Sequence, residues 1–148
     1  MKAINEMKLT FKSRSANESF ARTAVSAFVA TLDPTVEEIS DIKTAVSEAV
    51  TNCIVHGYRE TIANIYITAA IYPGNYVVIK IKDKGCGIED IEKAMEPLYT
   101  TCPSGERAGL GFAVMQSLCD RVKVVSKKDK GTTVTLTQII SSRGGNDE

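Results

Sequence analysis

The strongest constraint on the fold of this chain is an alternating apolar run that ends in a glycine-rich turn. Residues 76–82 read YVVIKIK, an alternation that predicts a β-strand. The positions that follow, 83–88, read DKGCGI. Glycine has no Cβ, so the backbone at Gly85 and Gly87 can approach a ligand closely. The sequence therefore predicts a strand that leads directly into a binding loop, with Asp83 at the junction.

Two further motifs lie on either side of this turn. Before it, positions 48–52 read EAVTN on a predicted helix, where Glu48 and Asn52 are four residues apart and share one helical stripe. The apolar positions of that helix lie on a different side, so this stripe can border a ligand pocket. After the turn, positions 105–111 read GERAGLG, a second glycine cluster that opens another predicted helix.

The overall composition favours a single globular domain and argues against several kinds of partner. The 148 residues predict one domain over residues 1–140, with a frayed polar tail over residues 141–148. Eighteen basic and eighteen acidic residues cancel, which argues against binding to nucleic acid or to an anionic membrane. The N-terminus lacks a signal-like apolar stretch and no run is long enough to span a membrane, so we expect a cytoplasmic protein.

The first half of the chain predicts one strand and two helices. The strand is expected at residues 7–11, and the first helix runs to about residue 31 from a capping box formed by Ser15 and Glu18. A second capping box, Thr35 with Glu38, opens the next helix. Gly57 suits the C-terminal cap of that helix.

The second half of the chain predicts a strand-rich region interrupted by helices. Strands are expected at residues 64–72, 76–82, 122–126 and 132–139, a short helix at 88–95, and a further helix at 110–119. The stretch between these helices, residues 96–109, has no periodicity and is typical of a lid. The pattern predicts an α+β two-layer sandwich with a mixed, mostly antiparallel sheet and helices on one face.

The three motifs, in this order, resemble the nucleotide site of the ATP-binding superfamily that gyrase, Hsp90, histidine kinases and MutL proteins share. The resemblance implies ATP and magnesium as cofactors. It implies that Asn52 ligates the Mg²⁺ that bridges the phosphates, since magnesium prefers oxygen ligands. It also implies that Glu48 is the general base, because a carboxylate can accept the proton of an attacking hydroxyl.

The same resemblance assigns the contacts to the base and the phosphates. Asp83 can accept a hydrogen bond from the adenine amino group, where guanine has a carbonyl, and Thr132 matches a second hydroxyl on the adenine side. Arg107 is a candidate catalytic contact to the γ-phosphate. His56 is interpreted only as a favourable charge at a helix end. The remaining expected ATP-binding residues belong to the two glycine motifs: Gly85, Gly87, Ile88, Gly109, Leu110 and Gly111.

Within this superfamily the chain resembles the single-domain protein-serine kinases that act as anti-sigma factors, in particular the sporulation anti-sigma-F group. The likeness rests on NESFAR at 17–22, LDPT at 32–35, SEAVTN at 47–52, HGY at 56–58 and PLYTT at 97–101. It implies a homodimer that binds a sigma factor and phosphorylates a serine of an anti-anti-sigma protein, without direct contact to nucleic acid or membrane. A lysine often follows the paired lid threonines in the family, where this chain has Cys102, which places more weight on Arg107.

Three alternatives remain open at this point. A general-stress anti-sigma-B kinase shares the ATP motifs. A nucleotide-gated binding module would lack phosphotransfer, although Glu48 argues against it because a sensor needs no base. An ATP hydrolase would use the same carboxylate to activate water, and the sequence does not separate it from a kinase.

The first helix carries a candidate partner contact. Glu18 and Arg22 are four residues apart, away from the apolar side of that helix. They form either a surface ion pair or a docking site for the sigma factor, the anti-anti-sigma protein, or both. Arginine is favoured at interfaces for its planar head with several donors.

Overall fold

Four strands are slightly longer than the sequence predicts, the strand at residues 64–72 has the predicted bounds, and the five form a single sheet. The computed structural model of the chain describes residues 2–95 and 111–141. Within these ranges the strands are β1 Asn5–Lys12, β2 Asn64–Tyr72, β3 Tyr76–Asp83, β4 Arg121–Lys127 and β5 Gly131–Ile139. The helices are α1 Ala16–Val29, α2 Val36–Asn52, α3 Ile91–Ala94 and α4 Phe112–Leu118.

The strand order is β1-β2-β3-β5-β4, and all four pairings among the described strands are antiparallel. The predicted α+β sandwich is therefore confirmed. The parallel pair that a mixed sheet would contain is absent from the described residues. Because β5 is antiparallel to β3, the first residues of β5 lie beside the last residues of β3, with Thr132 opposite Asp83. This register places the glycine-rich turn beside the turn that joins β4 to β5.

One face of the sheet is buried under the helices. Along β2 every second residue is buried, which is the period that a half-covered antiparallel strand requires. The helices contribute the other half of the core from their apolar stripes. The buried helical side chains include Ala21, Val25, Val29, Ile42, Val46, Ala49, Val50, Phe112 and Met115.

The capping box predicted for α1 is wrong. Ser15 already has helical dihedral angles (φ −57°, ψ −32°), and its side chain makes no capping hydrogen bond. The Glu18 carboxylate instead lies 3.4 Å from the guanidinium of Arg22. The first turn is closed by the backbone, where the N–H of Asn17 donates to the carbonyl of Arg14 at 2.9 Å.

The capping box predicted for α2 is confirmed. The N–H of Glu38 donates to the Thr35 hydroxyl at 3.0 Å, and the N–H of Thr35 donates to one carboxylate oxygen of Glu38 at 2.8 Å. The other carboxylate oxygen accepts the N–H of Ser141 at 2.8 Å. Glu38 therefore joins the start of α2 to the end of β5. Partial burial raises the pKa of Glu38, but the hydrogen bonds from Ser141 and Thr35 outweigh it and lower that pKa overall.

The Glu38→Gln variant is expected to be less stable by about 1 kcal/mol at neutral pH, because the amide can no longer accept both backbone hydrogen bonds. A lowered pKa in the folded state means that the stabilisation is complete above the ordinary pKa of glutamate. It is lost as the pH falls through the lower folded value. Urea unfolding as a function of pH measures the difference. Glu37→Gln, an exposed neighbour, is the control, and an equal effect of both variants would contradict the assignment.

The predicted role of Gly57 as a helix cap is wrong. Helix α2 ends at Asn52 and continues as a π-helical turn, Cys53–Gly57, whose cap is Tyr58 with φ −95°. The N–H of Tyr58 donates to the Cys53 carbonyl at 2.8 Å, and the left-handed conformation is taken by Arg59 at φ 57°. Gly57 is needed for a different reason, which is its approach to Asp83 in the site below.

The remaining predicted elements are found in shortened form. The helix predicted at 88–95 is limited to α3, and the one predicted at 110–119 begins only after Gly111, which has φ 73°. The predicted lid and residues 142–148 of the predicted tail lie outside the described residues, whereas Ser141, the first residue of that tail, donates its N–H to Glu38. Among the helices that the structure does describe, none has the length and apolar character needed to cross a membrane.

Candidate nucleotide-binding site

A cleft opens between the C-terminal end of α2, the π-helical turn and the adjoining ends of β3 and β5. Including the solvent space at its mouth, its volume is about 350 Å³. Its walls are apolar for the most part, as in small-molecule sites generally. Its polar side chains are Asp83 and Thr132 at the strand ends, which form the polar end of the cleft, and Asn52 and His56 on the helical side. The lining residues are Ala49, Asn52, Cys53, His56, Gly57, Ile81, Asp83, Gly87, Ile88, Phe112, Thr132 and Val134.

The structure brings together much of the site that the sequence predicts. Five of the predicted residues line the cleft: Asn52, Asp83, Gly87, Ile88 and Thr132. The other described ones lie around it, since Gly85 packs behind Asp83 and Gly111 immediately precedes α4. Glu48 is half-buried one helical turn before Asn52 and does not itself line the described part of the cleft. Three predicted residues fall outside the described ranges: Arg107, Gly109 and Leu110.

Asp83 provides a buried acceptor at the polar end of the cleft. Its residue is only 4% exposed, and the N–H of Gly85 donates to one of its oxygens at 2.8 Å. Burial raises the pKa of Asp83, while hydrogen bonds from Gly85, the Cys53 thiol and the Thr132 backbone offset part of this increase. A buried carboxyl group with a raised pKa beside a cleft is typical of a binding or catalytic group.

Two glycines allow the π-helical turn to contact the DKGCGI loop directly. A Cβ at Gly57 would lie 2.8 Å from an Asp83 carboxylate oxygen, and a Cβ at Gly85 would lie 2.2 Å from the carbonyl oxygen of Gly57. The N–H of Cys86 donates to that same carbonyl at 3.0 Å, and the Cys86 thiol donates to the carbonyl of His56 at 3.1 Å. Gly85 therefore serves the packing of the loop against the helix end, in addition to any close approach to a ligand.

Three residues that the sequence does not assign to nucleotide binding belong to the site. His56 sits in the last turn of the π-helical segment, as its helix-end interpretation expects, but it also lines the cleft. Tyr58 is buried, and its hydroxyl donates to the Asn64 carbonyl and accepts the N–H of Lys84 at 2.7 Å. It thereby fixes the backbone just after Asp83. Ser126 on β4 contacts both Ile88 and Thr132 through its hydroxyl. No local sequence pattern marks these contacts, because each joins residues from different elements.

Comparison with known proteins first gives the class of domain. The family model of the histidine kinase-like ATPase domain matches residues 11–138. The fold is also similar to the RsbU and RsbW domains of Rv1364c from Mycobacterium tuberculosis, with a TM-score of 0.66, 20% identity, and coverage of 92% of this chain and 32% of that one. A histidine kinase domain from Erythrobacter litoralis EL346 gives a TM-score of 0.54 at 16% identity, covering 83% of this chain and 60% of that one. The family model and the fold identify the chain as a histidine kinase-like ATPase domain.

The similar sequences then give the particular family. An anti-sigma F factor of Thermoanaerobacter sp. (strain X514) is 59% identical over 142 residues, which are 96% of this chain and 99% of that protein. An anti-sigma F factor of Clostridium perfringens (strain 13 / Type A) is 52% identical over 132 residues, or 89% of this chain and 94% of that protein. The chain belongs to the anti-sigma F factor family.

Proposed function

We propose that the chain is a cytoplasmic anti-sigma factor that binds and inhibits a sporulation sigma factor and is also a protein-serine kinase. The kinase activity transfers the γ-phosphate of Mg-ATP to a serine of an anti-anti-sigma protein, and the active form is a homodimer. The observation that carries this proposal is the convergence of Asn52, Asp83 and Thr132 on one cleft in an anti-sigma F factor sequence.

The polar end of the cleft suits the base of an adenine nucleotide. Asp83 and Thr132 lie opposite each other on neighbouring strands and both line the cleft. The Asp83 carboxylate is an acceptor for the exocyclic amino group of adenine. Apolar walls from Ala49, Ile81 and Val134 can pack on the faces of the ring.

The side of the cleft formed by α2 suits the phosphates and their magnesium. Asn52 is 8% exposed and lines the cleft, so its amide oxygen can coordinate a cation that takes most of its ligands from the nucleotide and water. A bound Mg²⁺ would neutralise charge on the phosphates. Glu48, one turn earlier, would accept the proton of the attacking serine hydroxyl. Arg107 and residues 109–111 remain the predicted phosphate contacts.

The Asn52→Ala variant is expected to lose magnesium-dependent nucleotide binding, because it removes the carboxamide and with it the oxygen that would coordinate the cation. Calorimetric titration with ATP, with and without magnesium, measures the loss, and thermal unfolding verifies that the variant is folded. Asn5→Ala, at an exposed position at the start of β1, is the control. Equal ATP affinity of Asn52→Ala and the wild type in magnesium would remove Asn52 as a metal ligand.

Arg22 presents hydrogen-bond donors beside α2, the helix that carries Glu48. Its guanidinium lies 3.4 Å from a Glu18 carboxylate oxygen and 3.3 Å from the Ser47 hydroxyl, so it bridges α1 and α2 next to Glu48. The Arg22 side chain remains 40% exposed. An exposed ion pair of this kind contributes little to stability, at most about 1 kcal/mol. The Arg22 side chain can therefore serve partner binding, because the fold depends little on its ion pair.

The Arg22→Ala variant is expected to bind the sigma factor, the anti-anti-sigma protein, or both at least about tenfold more weakly, or roughly 1.4 kcal/mol. Thermal stability and ATP affinity should change little. Titration of each partner against the variant measures the effect, with Arg14→Ala, an exposed arginine just before α1, as the matched control. If the variant binds both partners with wild-type affinity, Arg22 has no role in partner binding and forms only a surface ion pair with Glu18.

A further inference from the structure

We propose that Ser126 is a positioning residue that fixes the Thr132 hydroxyl as a hydrogen-bond acceptor, so that the cleft selects a purine with an amino group at C6, as in adenine. The inference rests on the proposed function, because it concerns how the same cleft distinguishes one nucleotide base from another. It assigns a role to a side chain that is outside the described lining of the cleft and acts on the base through Thr132.

The hydroxyl of Ser126 lies at the centre of a small network. Ser126 on β4 pairs with Thr132 on β5, and their hydroxyl oxygens are 2.7 Å apart. The N–H of Ile88, from the DKGCGI loop, donates to the Ser126 oxygen at 2.7 Å. The same oxygen lies 3.1 Å from the carbonyl oxygen of Gly131, to which it donates.

We infer the direction of the contact between the two hydroxyls by assigning the Ser126 hydrogen to the Gly131 carbonyl and counting the hydrogens that remain. Ser126 has a single hydroxyl hydrogen, and the Gly131 carbonyl can only accept one. The Ile88 N–H can only donate, so it uses a lone pair on Ser126. With the Ser126 hydrogen directed to Gly131, Thr132 has to donate its own hydrogen to Ser126. Thr132 then presents only lone pairs to the cleft.

Thr132 and Asp83 therefore place two acceptors side by side. They face each other across the β3–β5 pairing, and the Asp83 carboxylate has no hydrogen to donate in its charged form. An amino group on a purine ring carries two hydrogens and satisfies both acceptors. A ring with a carbonyl at that position would place a third acceptor against them, which leaves buried polar groups unpaired.

Other contacts hold the loop, so loss of the Ser126 hydroxyl should not release it. The N–H of Asp129 donates to the Cys86 carbonyl at 2.7 Å, and the N–H of Cys86 donates to the Gly57 carbonyl at 3.0 Å. These contacts join the DKGCGI loop to the β4–β5 turn and to the π-helical turn. Removing the Ser126 hydroxyl therefore frees the Thr132 hydroxyl to rotate and donate into the cleft, while the loop stays in place.

Binding of ADP and IDP, which differ in an amino group or a carbonyl at the same ring position, tests the inference by calorimetry. The wild type is expected to prefer ADP, and Ser126→Ala to lower the ADP-to-IDP affinity ratio by about tenfold. Ser126→Thr keeps the hydroxyl and should keep the wild-type ratio. In a Thr132→Val background, Ser126→Ala should change the ratio no further, because Ser126 has lost the group through which it acts.

An unchanged ratio in Ser126→Ala, a lowered ratio in Ser126→Thr, or a further change in the Thr132→Val background would each overturn the role of Ser126. If Ser126→Ala fails to fold, Ser126→Cys replaces it, because a thiol is a poor hydrogen-bond acceptor. The affinity ratios of Ser126→Cys and Ser126→Thr, and the comparison of Ser126→Cys in the Thr132→Val background, then decide the question in the same way. A wild type that selects ADP but is insensitive to position 126 overturns this inference alone. A wild type that binds neither nucleotide overturns the proposed function as well.

Discussion

The Glu48→Gln variant is expected to bind ATP as the wild type does and to transfer phosphate about 10²–10⁴-fold more slowly, the usual effect of losing a general base. The amide keeps the size of the side chain and removes its basic carboxylate. Glu48 lies one turn from Asn52 and outside the described lining of the cleft, so the substitution leaves the nucleotide contacts intact. Single-turnover transfer to the anti-anti-sigma protein measures the rate.

Glu37→Gln is the matched control, because it removes an exposed carboxylate from the first turn of the same helix. It should transfer phosphate at the wild-type rate. Unchanged transfer in Glu48→Gln would remove Glu48 from the mechanism and favour another base. A variant that had lost ATP affinity as well would show that the carboxylate serves binding instead of proton transfer.

The Gly85→Ala variant is expected to lose nucleotide binding and about 2–3 kcal/mol of stability, because overpacking of this kind typically costs about 1–3 kcal/mol. Its new Cβ would lie 2.2 Å from the Gly57 carbonyl oxygen and 2.4 Å from the Gly57 carbonyl carbon. Both atoms belong to the backbone, so no side-chain rotation relieves the overlap. The displaced N–H of Gly85 would also release the carboxylate of Asp83. Urea unfolding and ADP titration measure the two effects.

Gly74→Ala separates crowding from backbone strain. Gly74 lies in the β2–β3 turn at φ 88°, and no atom lies within 4 Å of the place that its Cβ would take. The substitution therefore strains the backbone by roughly 1–2 kcal/mol without a collision. ADP affinity should be unchanged in this control. Wild-type ADP binding by Gly85→Ala would mean that the loop and the π-helical turn do not need their direct contact.

The sheet could be predicted from the sequence because its signal is local. β2 has the predicted bounds, since one buried face imposes strict alternation on residues 64–72. The helix starts show where local patterns stop being sufficient. The same capping-box spacing forms at Thr35, whose ψ of 163° leaves its hydroxyl facing the helix start, and fails at Ser15, whose backbone is already helical. The difference depends on the backbone conformation of the residues that lead into the helix, which the motif does not specify.

The site follows the same division between local and long-range information. The resemblance assigns Asp83 and Thr132 to one site, and in the structure the antiparallel register of β3 and β5 sets them opposite each other. Ser126 and Tyr58 could not be assigned from the sequence, because their roles depend on contacts that span 38 and 26 residues of sequence. The prediction for Gly57 is wrong for a related reason. A glycine after a helix suits a cap, and only the fold shows that the Asp83 carboxylate occupies the space of its missing Cβ.

The central claim is that this cleft transfers a phosphate from ATP to a serine of a partner protein. Incubation with γ-labelled ATP, magnesium and the anti-anti-sigma protein tests it most directly, with the Glu48→Gln variant alongside. We expect label on a serine of the partner, dependent on magnesium and strongly reduced in the variant. Label released only as inorganic phosphate would identify a hydrolase, and label that stays on ATP would identify a binding module, so either result would contradict the claim.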